Sequence, residues 1–196
     1  MNQWSEDWLC TPGTNTLQLS YSNTSSKGIF TQGLANNNFP TLRYHKIKVA
    51  FFNDNAEVAR VEEYYINNVE TTEVELGDLT GISAILPNYE DHDFVLVILD
   101  DKSKEFFKQN INKIDDDLTK AIIIKSFFDS VRGIRISAND FLELAVTVMI
   151  PSLSNEGLNT IFFFLSEILG YYALDADRAK FSEKIFDKLF LISQSI

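Results

Sequence analysis

The first half of the chain alternates apolar and polar residues with a period of two. The alternation is clear at Leu17, Leu19 and Tyr21, and polar turn residues separate one such segment from the next. A period of two is typical of a strand with one buried face. The pattern predicts strands at 17–21, 29–34, 47–51, 57–66, 72–76, 84–86 and 94–99. Short strands with turn signals at this spacing predict an antiparallel β-sandwich over residues 1–99.

Polar clusters between these segments predict the turns. Asn23–Gly28 is interpreted as a polar loop before the second strand. Asn53-Asp54-Asn55 follows the third strand, and asparagine and aspartate tolerate the positive φ values that a tight hairpin turn requires. We therefore predict a hairpin turn at residues 53–55, where this cluster can supply the positive φ values.

The segment Phe94–Leu99 differs from the strands before it, because it is apolar at every position. A strand of this kind is expected to be covered on both faces. Asp100-Asp101-Lys102-Ser103 follows at once, and an Asp/Ser cluster after an apolar run is a helix-start signal. We predict that the β-sandwich domain ends at Leu99 and that a helical domain begins at Asp100.

From there on, apolar residues recur with the spacing of helices. One stripe contains Ala121, Ile124, Phe128 and Val131. Three more stripes follow, at 141–149, 158–169 and 181–192. The predicted helix starts are Asp115-Asp116-Asp117, Ser137 and Ser154, and the predicted stops are Gly133, Pro151 and Gly170. Short loops between helices predict antiparallel neighbours, stacked as in an α-solenoid over residues 100–196.

Two of these helices carry apolar residues outside a single stripe. Phe163 and Phe164 widen the third stripe, which predicts a helix covered on more than one side, and Phe186 and Phe190 widen the last. In a chain standing alone, such residues form an exposed apolar patch, which usually marks an interaction site. We expect this patch on the helical half, together with some self-association.

Composition narrows the possible functions. The chain has 196 residues, a net charge of -11 and 45% hydrophobic residues, so a real core is expected and nucleic-acid binding is disfavoured. Its longest apolar runs are far shorter than the roughly 20 residues of a membrane span. The first residues lack a basic region and an apolar region, so no signal peptide is evident and a cytoplasmic location is expected. The single cysteine, Cys10, cannot form an internal disulfide.

Few residues suggest chemistry. The two histidines are His45, interpreted as a satisfied histidine at the mouth of its strand, and His92, interpreted as part of a polar turn. Asp91-His92-Asp93 holds ligand types side by side, but adjacent residues rarely converge on one metal. Cys10 is interpreted as a small residue near the first strand, and Asp115–Asp117 as a helix start. The sequence has no HExxH, no phosphate loop and no nucleophile elbow. We predict no catalytic, metal or cofactor site in this chain.

Five stretches, in order, resemble the zinc aminopeptidase N family in the region after its catalytic domain. Residues 8–17 resemble the pattern WLxTxGxNxL, and residues 42–47 resemble LRPHRI with Tyr44 in place of proline. Residues 85–91 resemble LVLPNDDD, residues 97–103 resemble VRLDxxS, and residues 128–132 resemble WDMTR. The motif positions, expected to be structural, are Trp8, Gly13, Asn15, Leu42, Arg43, Pro87, Asn88, Asp91, Asp129 and Arg132.

The resemblance implies a non-catalytic role. In that family the zinc ligands and the motif that binds the substrate amine lie upstream, so zinc is expected in a catalytic domain outside this sequence. The implied role of residues 1–196 is to support and cover that domain, in cis or as a separate chain, in a protein that removes N-terminal amino acids from peptides. The helical part is shorter than in the family, and Gly133-Ile134-Arg135 replaces acidic positions. The alternative is a stand-alone accessory module that binds another protein.

Overall fold

The computed structural model describes residues 3–22 and 25–194, apart from the side chains of Gln3, Asn155 and Glu156. The described chain is of mixed α+β type, with strands before residue 100 and helices after it, except for a short helical segment at the start. It divides into two compact units, Met1–Lys104 and Glu105–Ile196.

Two sheets make up most of the first unit. The described strands are β1 (Asn15–Tyr21), β2 (Lys27–Leu34), β3 (His45–Phe52), β4 (Val58–Ile66), β5 (Thr71–Glu75), β6 (Ala84–Pro87) and β7 (Leu96–Ile98). One sheet has the strand order β5-β2-β1-β7 and the other has the order β4-β3-β6. The period-two pattern predicted these strands, although β2 begins two residues earlier than expected, inside the predicted 23–28 loop.

The two sheets contact each other through their buried faces. Leu17, Leu19 and Phe30 are buried from the first sheet, and Ile47 and Val49 from the second. The rings of Phe30 and Tyr64 lie 6.0 Å apart between centroids. The Tyr64 hydroxyl donates to the carbonyl of Glu75 at 3.1 Å, which joins β4 to the end of β5. Each buried Leu, Ile or Phe side chain contributes about 1.5–3 kcal/mol through removal from water.

The prediction for Phe94–Leu99 was wrong in two respects. The strand β7 covers only Leu96–Ile98 and pairs in parallel with β1, whereas an entirely antiparallel arrangement was predicted. Phe94 is 72% exposed, so the apolar run is not covered at every position. The reason is local, because the Phe94 N–H donates to the carboxylate of Asp93 at 2.7 Å and so belongs to the preceding turn. The periodic pattern could not reveal strand direction.

The hairpin between β3 and β4 also differs from its prediction. The positive φ, 65°, lies on Ala56, whereas residues 53–55 have none. Asn53 acts through its side chain, because its carboxamide oxygen accepts from the N–H groups of Asn55 and Glu57 at 2.9 and 3.0 Å. This is an Asx-type turn, in which the side chain takes the place of a backbone acceptor.

A helical segment that the sequence analysis did not predict precedes the sheets. It consists of α1 (Gln3–Ser5) and a π-helical turn, Glu6–Cys10. Cys10 is exposed at the end of this turn, shortly before β1 begins at Asn15. At the other end of the unit, the Asp100 carboxylate accepts from the Ser103 N–H at 3.0 Å and caps α2 (Asp101–Asn110) as predicted.

The second unit is helical. Its elements are a 3₁₀ turn (Ile111–Lys113), α3 (Asp117–Arg132), α4 (Ala138–Leu144), a π-helical turn (Ala145–Met149), α5 (Ile150–Ser152), α6 (Asn155–Tyr171) and α7 (Asp175–Ser193). Asp116, Ser137 and Ser154 accept from the N–H three residues on, so the predicted caps are confirmed. The predicted stops are displaced by one residue at Pro151, which lies inside α5, and at Gly170, which lies inside α6.

The buried helix of this unit is α3 and not α6. Eleven residues of α3 are buried around most of its circumference. It packs against α4 and α6, and the rings of Phe128 and Phe164 stack at 4.4 Å between centroids. In α6, Phe164 is buried but Phe163 is 61% exposed, so the prediction that α6 is covered on more than one side was wrong at Phe163.

The expected exposed aromatic residues are present on α7. Phe186 is 67% exposed and Phe190 is 52% exposed, and their rings stack at 6.3 Å. Phe181 and Ile185, from the same helix, are buried. The helix therefore has a core face and an additional apolar face.

We expect the double substitution Phe186→Ser and Phe190→Ser to reduce self-association and to leave thermal stability nearly unchanged. Exposed side chains contribute little to folding, so the loss is expected to stay within about 1 kcal/mol. The matched control is Phe181→Ser, which buries a hydroxyl in place of a ring and is expected to cost about 3 kcal/mol or more. Sedimentation and thermal unfolding measure the two properties, and a large loss of stability in the double variant would contradict the expectation.

Candidate functional site

The most buried charged group of the first unit is the guanidinium of Arg43, which is 1% exposed. Its Nε donates to the carbonyl of Asp7 at 2.7 Å, and Nη2 donates to the carbonyls of Thr11 and Pro12 at 2.9 and 3.1 Å. Its Nη1 donates to the side-chain oxygen of Asn15 at 3.2 Å. The guanidinium of Arg43 thus joins the N-terminal helical segment to the start of β1.

Two other motif residues, Trp8 and Asn15, contact this guanidinium, and a third, Gly13, directly follows the acceptor Pro12. Trp8 lies with its ring 5.2 Å from the guanidinium carbon, and Asn15 is fully buried with a second bond to the carbonyl of Thr41 at 2.8 Å. Gly13 has a φ of 92°, and a Cβ there would lie 2.7 Å from that of Phe39. Only glycine adopts this backbone readily. The two motifs at 8–17 and 42–47 therefore form one cluster, although the sequence separates them.

The other six motif positions are elsewhere. Leu42 is half-buried beside Arg43, and Pro87 and Asn88 are buried at the end of β6, where Asn88 has a φ of 56°. Asp91 is exposed at the end of a 3₁₀ turn, Tyr89–Asp91. Asp129 and Arg132 lie on α3 in the second unit, where the Asp129 carboxylate is 2.9 Å from Lys125 and 3.5 Å from Arg132.

Next to the Arg43 cluster lies a buried histidine. His45 is 2% exposed, and its Nδ1 lies 2.9 Å from Oδ2 of Asp93. A carboxylate accepts hydrogen bonds, so Nδ1 carries the proton in the neutral ring and Nε2 is the acceptor. Among the described residues, Nε2 has no hydrogen-bond partner. The interpretation of His45 as satisfied is therefore correct for one ring nitrogen and wrong for the other.

A cleft of about 350 Å³ opens beside His45. It has aromatic walls, and its remaining lining is polar except for one isoleucine. The lining residues are Trp4, Trp8, Tyr44, His45, Lys46, Tyr65, Ile66, His92 and Asp93. Volumes of this order and walls of this kind are typical of sites for small molecules. Trp8 packs edge-on against the imidazole, with centroids 5.4 Å apart at 90°.

This cleft could not be predicted from the sequence, because its parts lie far apart in the chain. His45 and Asp93 are separated by 48 positions. Tyr65 reaches the site because it lies opposite Lys46 in the β3–β4 ladder, where the lysine nitrogen lies 5.6 Å from the ring centroid. The one available signal was the position of His45 in phase with the buried residues Ile47 and Val49, which predicted a buried ring but not its partner.

The cluster Asp91-His92-Asp93 forms a polar turn, as interpreted. The His92 Nδ1 lies 3.0 Å from the carbonyl of Lys46, and the Asn88 side chain bonds to the backbone of Asp93 at both of its polar atoms. Within the described residues, no group of three His, Cys, Asp or Glu side chains could hold a metal ion.

A second cleft, of about 580 Å³, lies between the end of β1 and the start of α2. There the Tyr21 hydroxyl is 3.4 Å from the carboxylate of Asp100. Burial, and next the negative charge of Asp100, raise the pKa of Tyr21 to about 12. Of the groups that line this cleft, the Tyr21 hydroxyl and the Asp100 carboxylate already bond to each other.

No family model and no curated protein matches the chain. None of the helices in the described part of the chain is long and apolar enough to cross a membrane.

We expect Arg43→Met to destabilise the first unit by about 3–5 kcal/mol, because the acceptors of Asp7, Thr11 and Asn15 would stay buried without their donor. The matched control is Lys27→Met, since Lys27 is exposed and its ion pair with Glu75 is long, at 3.7 Å. That control is expected to stay within about 0.5 kcal/mol of the parent protein. Urea unfolding followed by tryptophan fluorescence reports on this unit, because Trp4 and Trp8 are the two tryptophans of the chain. An unchanged midpoint for Arg43→Met would contradict the assignment.

We expect Tyr21 to make stability fall as the pH rises from about 10 to about 12. The pKa of Tyr21 is raised from 10.0 to about 12 in the folded protein, so in this range the unfolded chain loses a proton that the folded chain keeps. The unfolded state gains from this release, and the contribution is fully present below pH 10. Tyr21→Phe should therefore show a weaker decline over this range. Equal slopes for the two proteins would disprove the effect.

Proposed function

We propose that this chain is the non-catalytic portion of a protein resembling zinc aminopeptidase N, and that it supports and covers a catalytic domain. That domain would bind the zinc ion and the peptide substrate and would remove N-terminal amino acids. The chain contributes no catalytic residue in this proposal. Its single cysteine is compatible with the reducing cytoplasm, which is the location we infer.

The observation that carries the proposal is the meeting of motif residues around Arg43. Trp8 and Asn15 come from one motif and Arg43 from another, and they share a ring contact and a hydrogen bond. Residues that match a family pattern by chance have no physical reason to converge in one buried cluster. Their convergence supports a shared structural role for both motifs, which is what the resemblance implies.

We also propose a specific architecture for each of the two units. We infer that the two sheets form a β-sandwich, supported by the Phe30–Tyr64 contact and by the buried faces of β1 and β3. We infer that the helices of the second unit begin a solenoid, supported by the packing of α3 against α4 and α6. A short solenoid leaves the outer face of its last helix uncovered. The exposed Phe186 and Phe190 on α7 agree with that expectation.

The second candidate function is a stand-alone module that binds another protein. The exposed phenylalanines of α7 favour it as well, because an apolar face that the fold does not bury is typical of an interaction site. The two candidates differ in what accompanies the chain. A zinc-binding catalytic domain, in cis or as a separate chain, is required by the first and not by the second, and a segment encoded directly upstream would favour the first.

The experiment compares the chain alone with the chain joined to the segment encoded upstream of Met1. For residues 1–196 alone we expect no stoichiometric zinc by elemental analysis and no hydrolysis of aminoacyl-anilides, because a catalytic zinc needs about three protein ligands. The joined protein is expected to bind zinc and to hydrolyse the substrate. A joined protein carrying Arg43→Met should lose activity through instability, whereas Lys27→Met should not. The absence of an HExxH frame from the genome, or one zinc held tightly by residues 1–196, would contradict the proposal.

A further inference from the structure

The cleft beside His45 combines three features that the proposed function does not use. First, Nε2 of His45 is a buried acceptor without a partner among the described residues. A buried polar atom is normally paired, and each exception calls for an explanation. Second, the tautomer is fixed, because Asp93 accepts from Nδ1 at 2.9 Å. In the neutral ring the unpartnered Nε2 is therefore an acceptor and selects a donor.

The third feature is the chemistry of the walls. Trp4, Tyr44 and Tyr65 are all more than half exposed and line the same cleft. Aromatic walls favour a flat ring, which stacks or packs edge-on at centroid distances of about 4.5–7 Å. Trp8 already makes such a contact with the imidazole, at 5.4 Å. A ligand ring that takes the place of Trp8 against His45 would keep this kind of contact and would add a hydrogen bond to Nε2.

The charges of the lining argue for an uncharged ligand. Lys46 and Asp93 carry one charge of each sign, and both are already engaged. The Lys46 ammonium lies 2.9 Å from Glu63, and the Asp93 carboxylate accepts from His45 and from the Lys46 N–H. A charged ligand would find no free counter-charge in these two groups. A neutral donor such as an N–H or O–H group needs none.

From these features we propose that the cleft binds an uncharged aromatic ring carrying one N–H or O–H donor, of the indole or phenol class. The ring displaces Trp8 from the imidazole face and donates to Nε2 of His45, while Nδ1 keeps its bond to Asp93. This site is independent of the proposed aminopeptidase role, since neither zinc nor a catalytic domain takes part in it.

The test uses indole and indene, two rings of nearly equal size that differ in the N–H donor. Tryptophan fluorescence and calorimetry measure their affinities for the whole chain. A single buried hydrogen bond is worth a factor of roughly three to ten, so indole is expected to bind more tightly than indene by that factor. Equal affinity, or no binding of either ring at millimolar concentration, overturns the proposal without any substitution that could disturb folding.

The variant His45→Asn adds a structural control. The asparagine amide can still donate to Asp93, as Nδ1 does, but nothing replaces Nε2. In this variant the preference for indole over indene is expected to vanish, whereas His92→Asn, at an exposed lining residue, should keep it. In the parent protein, the ¹⁵N resonance of Nε2 should shift on indole binding while that of Nδ1 stays in place. A preference for indole that persists in His45→Asn, or an unshifted Nε2 resonance, overturns the proposal.

A further arm identifies the source of the ring. A tripeptide with blocked ends and a central tryptophan presents the same donor as a side chain. If this tripeptide binds as tightly as indole, the natural ligand is a protein segment, and if indole alone binds, it is a free small molecule. Both results require binding that depends on His45, so both support the site.

Discussion

The first unit depends on the burial of one charge, that of Arg43. A guanidinium removed from water must find acceptors for its donors, and each unmade bond to a buried group costs about 1–3 kcal/mol. The acceptors come from Asp7, Thr11, Pro12 and Asn15, which belong to separate local structures. None of these structures can be correctly placed without the others. The N-terminal segment is therefore part of the fold of this unit and not an appendage to it.

The same constraint produces the aromatic cleft. Since the carbonyl of Asp7 is bound to Arg43, the ring of its neighbour Trp8 lies over the guanidinium and against the imidazole of His45. His45 in turn holds Asp93, and Asp93 ends the turn that precedes β7. A series of contacts thus runs from the buried guanidinium of Arg43 to the buried Nε2 of His45, which has no hydrogen-bond partner among the described residues.

Interactions between residues close together in the chain could be predicted from the sequence, whereas interactions between distant residues could not. The strand pattern at Leu17 and Leu19 and the cap at Ser137 were predictable, because both follow from side chains within a few residues. The parallel pairing of β7 with β1 was not predictable, since the burial of side chains alternates in the same way in parallel and antiparallel strands. The His45–Asp93 pair was not predictable either, because these two side chains are brought together only by the packing of the turn at 88–93 against β3. Ala56 shows a third limit of prediction from sequence. The Asn53 side chain bonds to the N–H of Glu57, and the positive φ of this turn lies on Ala56, although alanine rarely adopts a positive φ.

The second unit contains phenylalanines that its core requires and phenylalanines that remain exposed. Its core is built on α3, which is buried around most of its circumference and stacks Phe128 on Phe164. Helix α7 packs against the rest of the unit through a buried face that contains Phe181 and Ile185. Phe186 and Phe190 add nothing to that face, yet two exposed phenylalanines on a helix otherwise rich in charge favour aggregation. Folding alone gives no reason for their exposure, whereas the proposed contact with another protein would cover them.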